Sequence, residues 1–202
     1  ADKTIFQSQY SLKKHSELGL EFNNPVVVFN AADPHIFHSR ERILFSRNRK
    51  IRLIASSWSD NFNKGAAVYQ WLDAYLDWDR FEFNFVGRSP VIYKNIQILP
   101  PVDSQRMGEL FRQHDIYITA SRNDPCSNSL IEALTCGLPA LYLMSGGHPE
   151  IVGEAGLGFD APEQIPVLLD RLVENYEEYK TKIAVPSLSD ICTEYLKILE
   201  LA

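Results

Sequence analysis

From Ile51 onward, short apolar runs rich in branched and aromatic residues alternate with longer stretches whose apolar positions recur at helical spacing. The runs at 51–57, 81–86, 95–99, 115–120, 140–144 and 157–159 predict strands, and their alternation with helical stretches is the signature of βαβ units and a parallel sheet. Between the first two, Val68, Leu72, Tyr75 and Leu76 fall at i, i+4, i+7 and i+8, which predicts an amphipathic helix over 64–77 opened by Asn63 and Gly65. The same reading predicts helices over 103–113, 127–136, 149–155, 162–179 and 187–201. The expected fold class is therefore α/β, with a doubly wound, Rossmann-like parallel sheet.

The first fifty residues follow another pattern. A strand at 4–7, a polar helix at 11–18 and a strand at 26–29 lead into a turn-rich segment at 30–37 and a basic run at 40–50, which reads as a solvated connector. The chain opens without Met only a few residues before its first strand, as a piece of a longer protein would.

Composition narrows the class. With 45% hydrophobic and 23% charged residues in a 202-residue chain, disordered and fibrous classes are excluded. No apolar run approaches the ~18 residues that cross a bilayer, and Ala1-Asp2-Lys3-Thr4 lacks the basic-then-apolar layout of a signal peptide. Twenty Lys and Arg against 26 Asp and Glu give a net charge of -6, so a nucleic-acid or anionic-membrane binder with a broad positive field is not expected. Cys126, Cys136 and Cys192 have neither disulfide-framework nor zinc-knuckle spacing, and a reducing cytoplasm fits them best.

In an open parallel sheet, ligands bind beyond the carboxyl ends of the strands. The loop after the first of these strands places Lys64 at a helix start, where backbone N–H groups and the helix dipole already favour an anion; an ordinary surface lysine would look the same. Gly87, followed by Arg88, ends the second strand and either admits a ligand to the backbone or makes a tight turn. After the fourth come Asp124 and, eight positions on, Glu132. Asp124 before Pro125 could be a plain helix cap. Glu132 stands among Leu130, Ile131, Ala133 and Leu134, where a carboxylate is costly unless something such as a ribose diol hydrogen-bonds it. After the fifth, Gly146-Gly147 precedes another helix and is suited to an anionic or polyhydroxyl ligand. Asp77 and Asp79 fall on the wrong sheet edge for a metal site, and His35 and His38 lack further ligands. There is no Gly-x-Ser-x-Gly, Walker loop or Gly-x-Gly-x-x-Gly after the first of these strands, so hydrolase, ATPase and ordinary dehydrogenase classes lose their main supports.

The ordered set Asn30-Ala31-Ala32-Asp33 with Phe37, Lys64-Gly65, Phe85-Val86-Gly87, Asp115-Ile116-Tyr117, Asp124 to Glu132-Ala133-Leu134, Gly137-Leu138-Pro139 and Gly146-Gly147-His148-Pro149-Glu150 resembles the donor-binding half of retaining glycosyltransferases of family four, which have the GT-B fold. The resemblance implies that residues 1–24 are the last β-α element of an acceptor domain, 25–50 the interdomain connector and 51–202 the nucleotide-sugar domain. It implies that Lys64 contacts the donor diphosphate, that Glu132 holds the ribose hydroxyls, and that Asp124 stands at the first acid of the E-x7-E motif and addresses the sugar. Gly146 and Gly147 would line the sugar pocket, with Gly87, Arg88, Leu99, Ser127 and Asn128 completing the donor site. The base would lie near Gly87 and Ile98-Leu99-Pro100. The donor would be a UDP- or GDP-sugar, with no metal or other cofactor. The acceptor, a glycan, lipid or small molecule, would be bound by an N-terminal domain, through which alone any peripheral membrane contact would be made.

Three departures stand out. Asp124 is a methylene shorter than the usual Glu, Pro125-Cys126-Ser127 replaces the Phe-Gly that commonly follows the first motif acid, and Ser59 stands where an arginine usually precedes the lysine, leaving Arg88 or Arg122 to supply a second positive charge. Two competing functions predict other things: a sugar-nucleotide epimerase of similar fold would need further acid-base groups in the cleft, and a non-catalytic binding module would bind donor without transfer.

Overall fold

The computed structural model describes residues 2–200. Its centre is a six-stranded, wholly parallel sheet built from β3 (Ile51–Ser57), β4 (Phe81–Gly87), β5 (Gln97–Leu99), β6 (Ile116–Thr119), β7 (Ala140–Leu143) and β8 (Gly156–Phe159). The strands lie in the order β5-β4-β3-β6-β7-β8. Chain order runs outward from β3 in one direction and from β6 in the other, so the topological switch point lies between these two strands. That crevice is where ligands of open α/β sheets bind.

The strands form where the apolar runs predict, because each is covered on both faces. On one face Leu53, Ala55, Phe83, Phe85 and Ile118 pack against α2 (Ala66–Tyr75) and α6 (Ile165–Glu174). On the other, Ile54, Val86 and Tyr117 meet α3 (Ser104–Gln113) and α4 (Asn128–Thr135). Before the sheet come β1 (Thr4–Phe6), α1 (Gln9–Glu17) and β2 (Pro25–Val27), with β1 and β2 paired in parallel as a separate two-stranded sheet. The remaining helices are α5 (His148–Val152), α7 (Tyr176–Thr181) and α8 (Leu188–Ile198). Among the described residues no helix is long and apolar enough to cross a membrane.

Three local expectations are corrected. The helix predicted over 162–179 is broken at Asn175, whose side chain and backbone N–H both donate to the Arg171 carbonyl. Tyr176 is thereby turned inward to stack on Phe45, with ring centroids 3.8 Å apart. The basic run at 40–50 is not simply a solvated connector. Arg42 donates to the carbonyls of Gly137, His114 and Asp115 and to the Tyr176 hydroxyl. Arg47 donates to the carbonyls of Val173 and Glu174, and Arg49 forms a two-pronged pair with Asp115 at 2.7 and 2.9 Å. The run is a clamp along the sheet's amino edge. Lys64, finally, precedes its helix: it closes a 3-10 turn (Phe62–Lys64), and Gly65 in a left-handed conformation separates that turn from α2.

Candidate functional site

The loops after β3 and β6 meet at the switch point and are tied together by the Arg122 N–H donating to the Asn63 carbonyl at 2.8 Å. Serines and asparagines stiffen the first loop: the Ser57 hydroxyl donates to the Ser59 carbonyl at 2.7 Å, and the Asn63 N–H donates to Asn61 Oδ1 at 2.9 Å. Lys64 leaves this framework, and its Nζ lies 3.0 Å from Asp124 Oδ2. The residues expected to contact the diphosphate and the sugar are thus partners of each other. Asp124 lies in the loop and not at the helix cap, which is Ser127.

The pair occupies a cleft of about 130 Å³, lined also by Ser56, Ser57, Trp58, Ser121, Ser127 and Ser129. Behind it Ser121 Oγ lies 3.2 Å from His148 Nε2, and His148 Nδ1 lies 3.1 Å from the Leu143 carbonyl. Burial pushes the His148 pKa below its ordinary value. Facing a carbonyl, Nδ1 is the ring's donor there, and Ser121 Oγ stands between His148 Nε2 and, at 3.4 Å, Asp124 Oδ2. Neither Ser121 nor the role of His148 is signalled by the sequence, because their juxtaposition depends on two loops 27 positions apart.

Glu132 opens elsewhere. One turn beyond Asn128 on α4, it lines a second cavity of about 470 Å³ with Asn30, Ala32, Asp33, Phe37 and Ile191. It is largely buried, among the described residues its carboxylate accepts no hydrogen bond and meets no cation, and burial alone raises its pKa from 4.5 to about 7. Asn128 at the cavity's edge accepts from Asn30 Nδ2 at 2.6 Å. The first turns of α4 thus divide the two spaces, with Ser127 and Ser129 facing Lys64 and Asp124, and Asn128 and Glu132 facing the connector.

The glycines serve the protein's own packing. A Cβ on Gly146, which has φ +66, would fall 2.2 Å from the Asp124 carbonyl oxygen, and one on Gly147 would fall 2.4 Å from that of Pro125. The Gly147 N–H donates to the Asp124 carbonyl at 2.9 Å. The pair therefore lets the β7–α5 loop press against the Asp124 loop and fixes that loop's height. At Gly87 a Cβ would fall 2.0 Å from the Ser57 carbonyl oxygen, so this glycine makes the tight β3–β4 approach. Arg88 and Arg122 are exposed and neither lines the Lys64 cleft; Leu99, at the end of the edge strand β5, is partly buried against the core and does not line it either. Among the described residues no three His, Cys, Asp or Glu side chains converge as a metal site would require.

One further contact was not legible. Glu150 on α5 accepts the N–H groups of Gln9 and Tyr10 at 2.8 and 2.7 Å, so its carboxylate seats the amino end of α1 beside the glycine pair. A negative charge there satisfies two orphan helix donors and complements the dipole.

The six-stranded parallel sheet with helices on both faces, and its crevice at the switch point, is the C-terminal Rossmann-like domain of the GT-B glycosyltransferases. Residues 75–175, half of the chain and including Asp124, Glu132 and the glycine pair, match the family described as glycosyl transferases group 1, and the chain belongs to that family. Among solved structures it is similar to Alr3699/HepE of Anabaena in complex with UDP and glucose, at 14% identity and TM-score 0.79, over 100% of this chain and 64% of that one. It is also similar to sucrose-phosphate synthase of Thermosynechococcus elongatus, at 13% identity and TM-score 0.76, over 99% and 58%. A pneumococcal O-GlcNAc transferase, GtfA, in complex with UDP and GlcNAc gives 15% identity and TM-score 0.70, over 99% and 45%. The chain thus spans less than two thirds of each of these structures. No curated protein sequence matches it.

Proposed function

We propose that this chain is the donor-binding half of a retaining glycosyltransferase that takes a sugar from a UDP- or GDP-type nucleotide. The observation that carries the proposal is the placement around α4 of one paired lysine, its aspartate, and an unpartnered, largely buried carboxylate at the next cavity. Structures similar in fold hold UDP or UDP-glucose. Ribose hydroxyls donating to Glu132 relieve the cost of burying its charge. The diphosphate takes Lys64 from Asp124, and Asp124, so released, accepts hydroxyls of the transferred sugar. As the sugar departs, charge grows on the diphosphate, and it is met by Lys64 and the amino end of α4 without a divalent ion. Gly146 and Gly147 act by holding the Asp124 loop. The acceptor comes from residues outside this chain, in an enzyme working in the cytoplasm.

Two outcomes test this. The isolated chain should bind UDP or GDP in calorimetry yet transfer no sugar, because acceptor positioning and exclusion of water need the second half of the cleft; turnover by these residues alone would refute it. Lys64→Ala should weaken nucleoside diphosphate binding by about 1.5 to 3 kcal/mol and nucleoside binding hardly at all, as loss of a charge-assisted phosphate contact requires. Equal losses for both ligands would remove Lys64 from the phosphate.

A further inference from the structure

We propose that Trp58 is the stacking face for the transferred sugar, an inference that rests on the donor-site assignment above and adds to it a residue that recognises the pyranose ring. The three tryptophans differ in their surroundings. Trp71 and Trp78 pack against the core, whereas Trp58 is 49% exposed in the cleft that holds Lys64 and Asp124. Its ring meets no other aromatic ring and no cation, and its indole N–H donates to no protein group among the described residues. A large apolar surface left in water at the mouth of an otherwise polar cleft is a cost that contact with a ligand removes.

The ring is also held ready. Ser57, immediately before it, has its hydroxyl on the Ser59 carbonyl and accepts the Ser59 N–H at 3.2 Å, while the Ser57 carbonyl accepts the Arg88 N–H at 2.8 Å. A tryptophan with two side-chain torsions on a backbone pinned from both sides loses little entropy when a ligand arrives.

The neighbouring groups select the ligand class. A phosphate gains nothing from an indole face. A pyranose presents an apolar face of C–H bonds, whose positive edges suit the negative π-face, and a rim of hydroxyls. Around Trp58 the rim finds the Asp124 carboxylate and the hydroxyls of Ser121 and Ser127, and the ring finds the indole. A nucleobase would stack as well, but it lacks the rim of hydroxyls that Asp124, Ser121 and Ser127 are placed to meet.

The test titrates the wild type, Trp58→Ala and Trp58→Phe with UDP, UDP-glucose, GDP and GDP-mannose by calorimetry, with a thermal melt of each variant. The melts should coincide, since this side chain is not in the core. For the nucleotide that binds, Trp58→Ala should weaken the sugar conjugate by about three- to tenfold and the bare diphosphate by less than twofold, while Trp58→Phe keeps most of the difference. Equal weakening of both would mean that Trp58 stacks the base or supports the loop. No weakening of either would mean that it faces something other than donor. Both results overturn the inference and leave the donor site standing. If the wild type binds none of the four, the donor-site assignment fails and takes the inference with it.

Discussion

Arg49→Ala is expected to cost the fold about 3 kcal/mol or more, because it strands a buried carboxylate. The Asp115 side chain is 1% exposed at the amino end of β6, and accepts two N–H groups of Arg49 and, at 2.8 Å, the backbone N–H of Arg52. Arg49 also donates to the carbonyls of Lys50 and Leu44, so its removal frees the connector from the sheet as well. Its own side chain is 25% exposed, which places the expected loss near the lower end of what breaking a buried pair costs. Lysine should rescue only part of it, since a single ammonium cannot reproduce the two-pronged contact. Urea unfolding of the wild type, Arg49→Ala, Asp115→Asn and the double variant measures the pair directly. A double variant more stable than Arg49→Ala alone is expected, because the stranded charge is then gone. A loss below about 1 kcal/mol for Arg49→Ala would place the pair with ordinary surface ion pairs. Nucleotide affinity of the folded fraction should not change, as Asp115 lies at the opposite end of the strands from the cleft.

This pair also marks where local pattern stops informing. The six strands and the crevice between β3 and β6 were legible because burial on both faces leaves a continuous apolar run in the sequence itself. Lys64 and Asp124 were legible as polar residues on loops at the carboxyl ends of the strands, and Glu132 as a carboxylate set among the apolar residues of α4. The arginines of the connector were not. A basic run looks the same whether it is solvated or captured, and its captors, Asp115, Gly137 and Tyr176, lie 66 to 134 positions away. The packing role of the glycine pair was hidden for a similar reason. Sequence shows that a Cβ is missing, while only the fold shows that the carbonyls of Asp124 and Pro125 fill the space. The break at Asn175 was hidden because the apolar period continues across it, and the helix stops only where Tyr176 finds Asp115 and Phe45 in the core.

Glu132→Gln is expected to stabilise the empty protein and weaken its hold on nucleotide. In the unfolded chain the Glu132 carboxyl titrates near 4.5, and in the fold burial raises it to about 7. Between those values the folded state binds more protons than the unfolded state, so stability falls as pH rises through the window and the full cost is present above it. A glutamine carries no such cost. The two proteins should therefore melt alike near pH 4.5 and diverge at pH 8, where the variant is more stable by about 1 to 2.5 kcal/mol, less than the raw shift implies because the cavity admits solvent. No salt bridge or hydrogen bond opposes this gain, since the carboxylate has no partner among the described residues. For the ligand the sign reverses. On the proposed role ribose hydroxyls would donate to the ionised carboxylate, so wild-type affinity should rise with pH through about 7, and 2′,3′-dideoxy nucleotides should be distinguished from ribonucleotides. In the variant both the pH dependence and the discrimination should fade. A melting difference that does not change with pH, or a variant less stable at pH 8, would show that Glu132 has a structural partner. Unchanged discrimination between the two nucleotides would remove it from the ribose. A residue whose replacement improves the fold while impairing the complex is kept for what it binds, and that is the signature sought at this position.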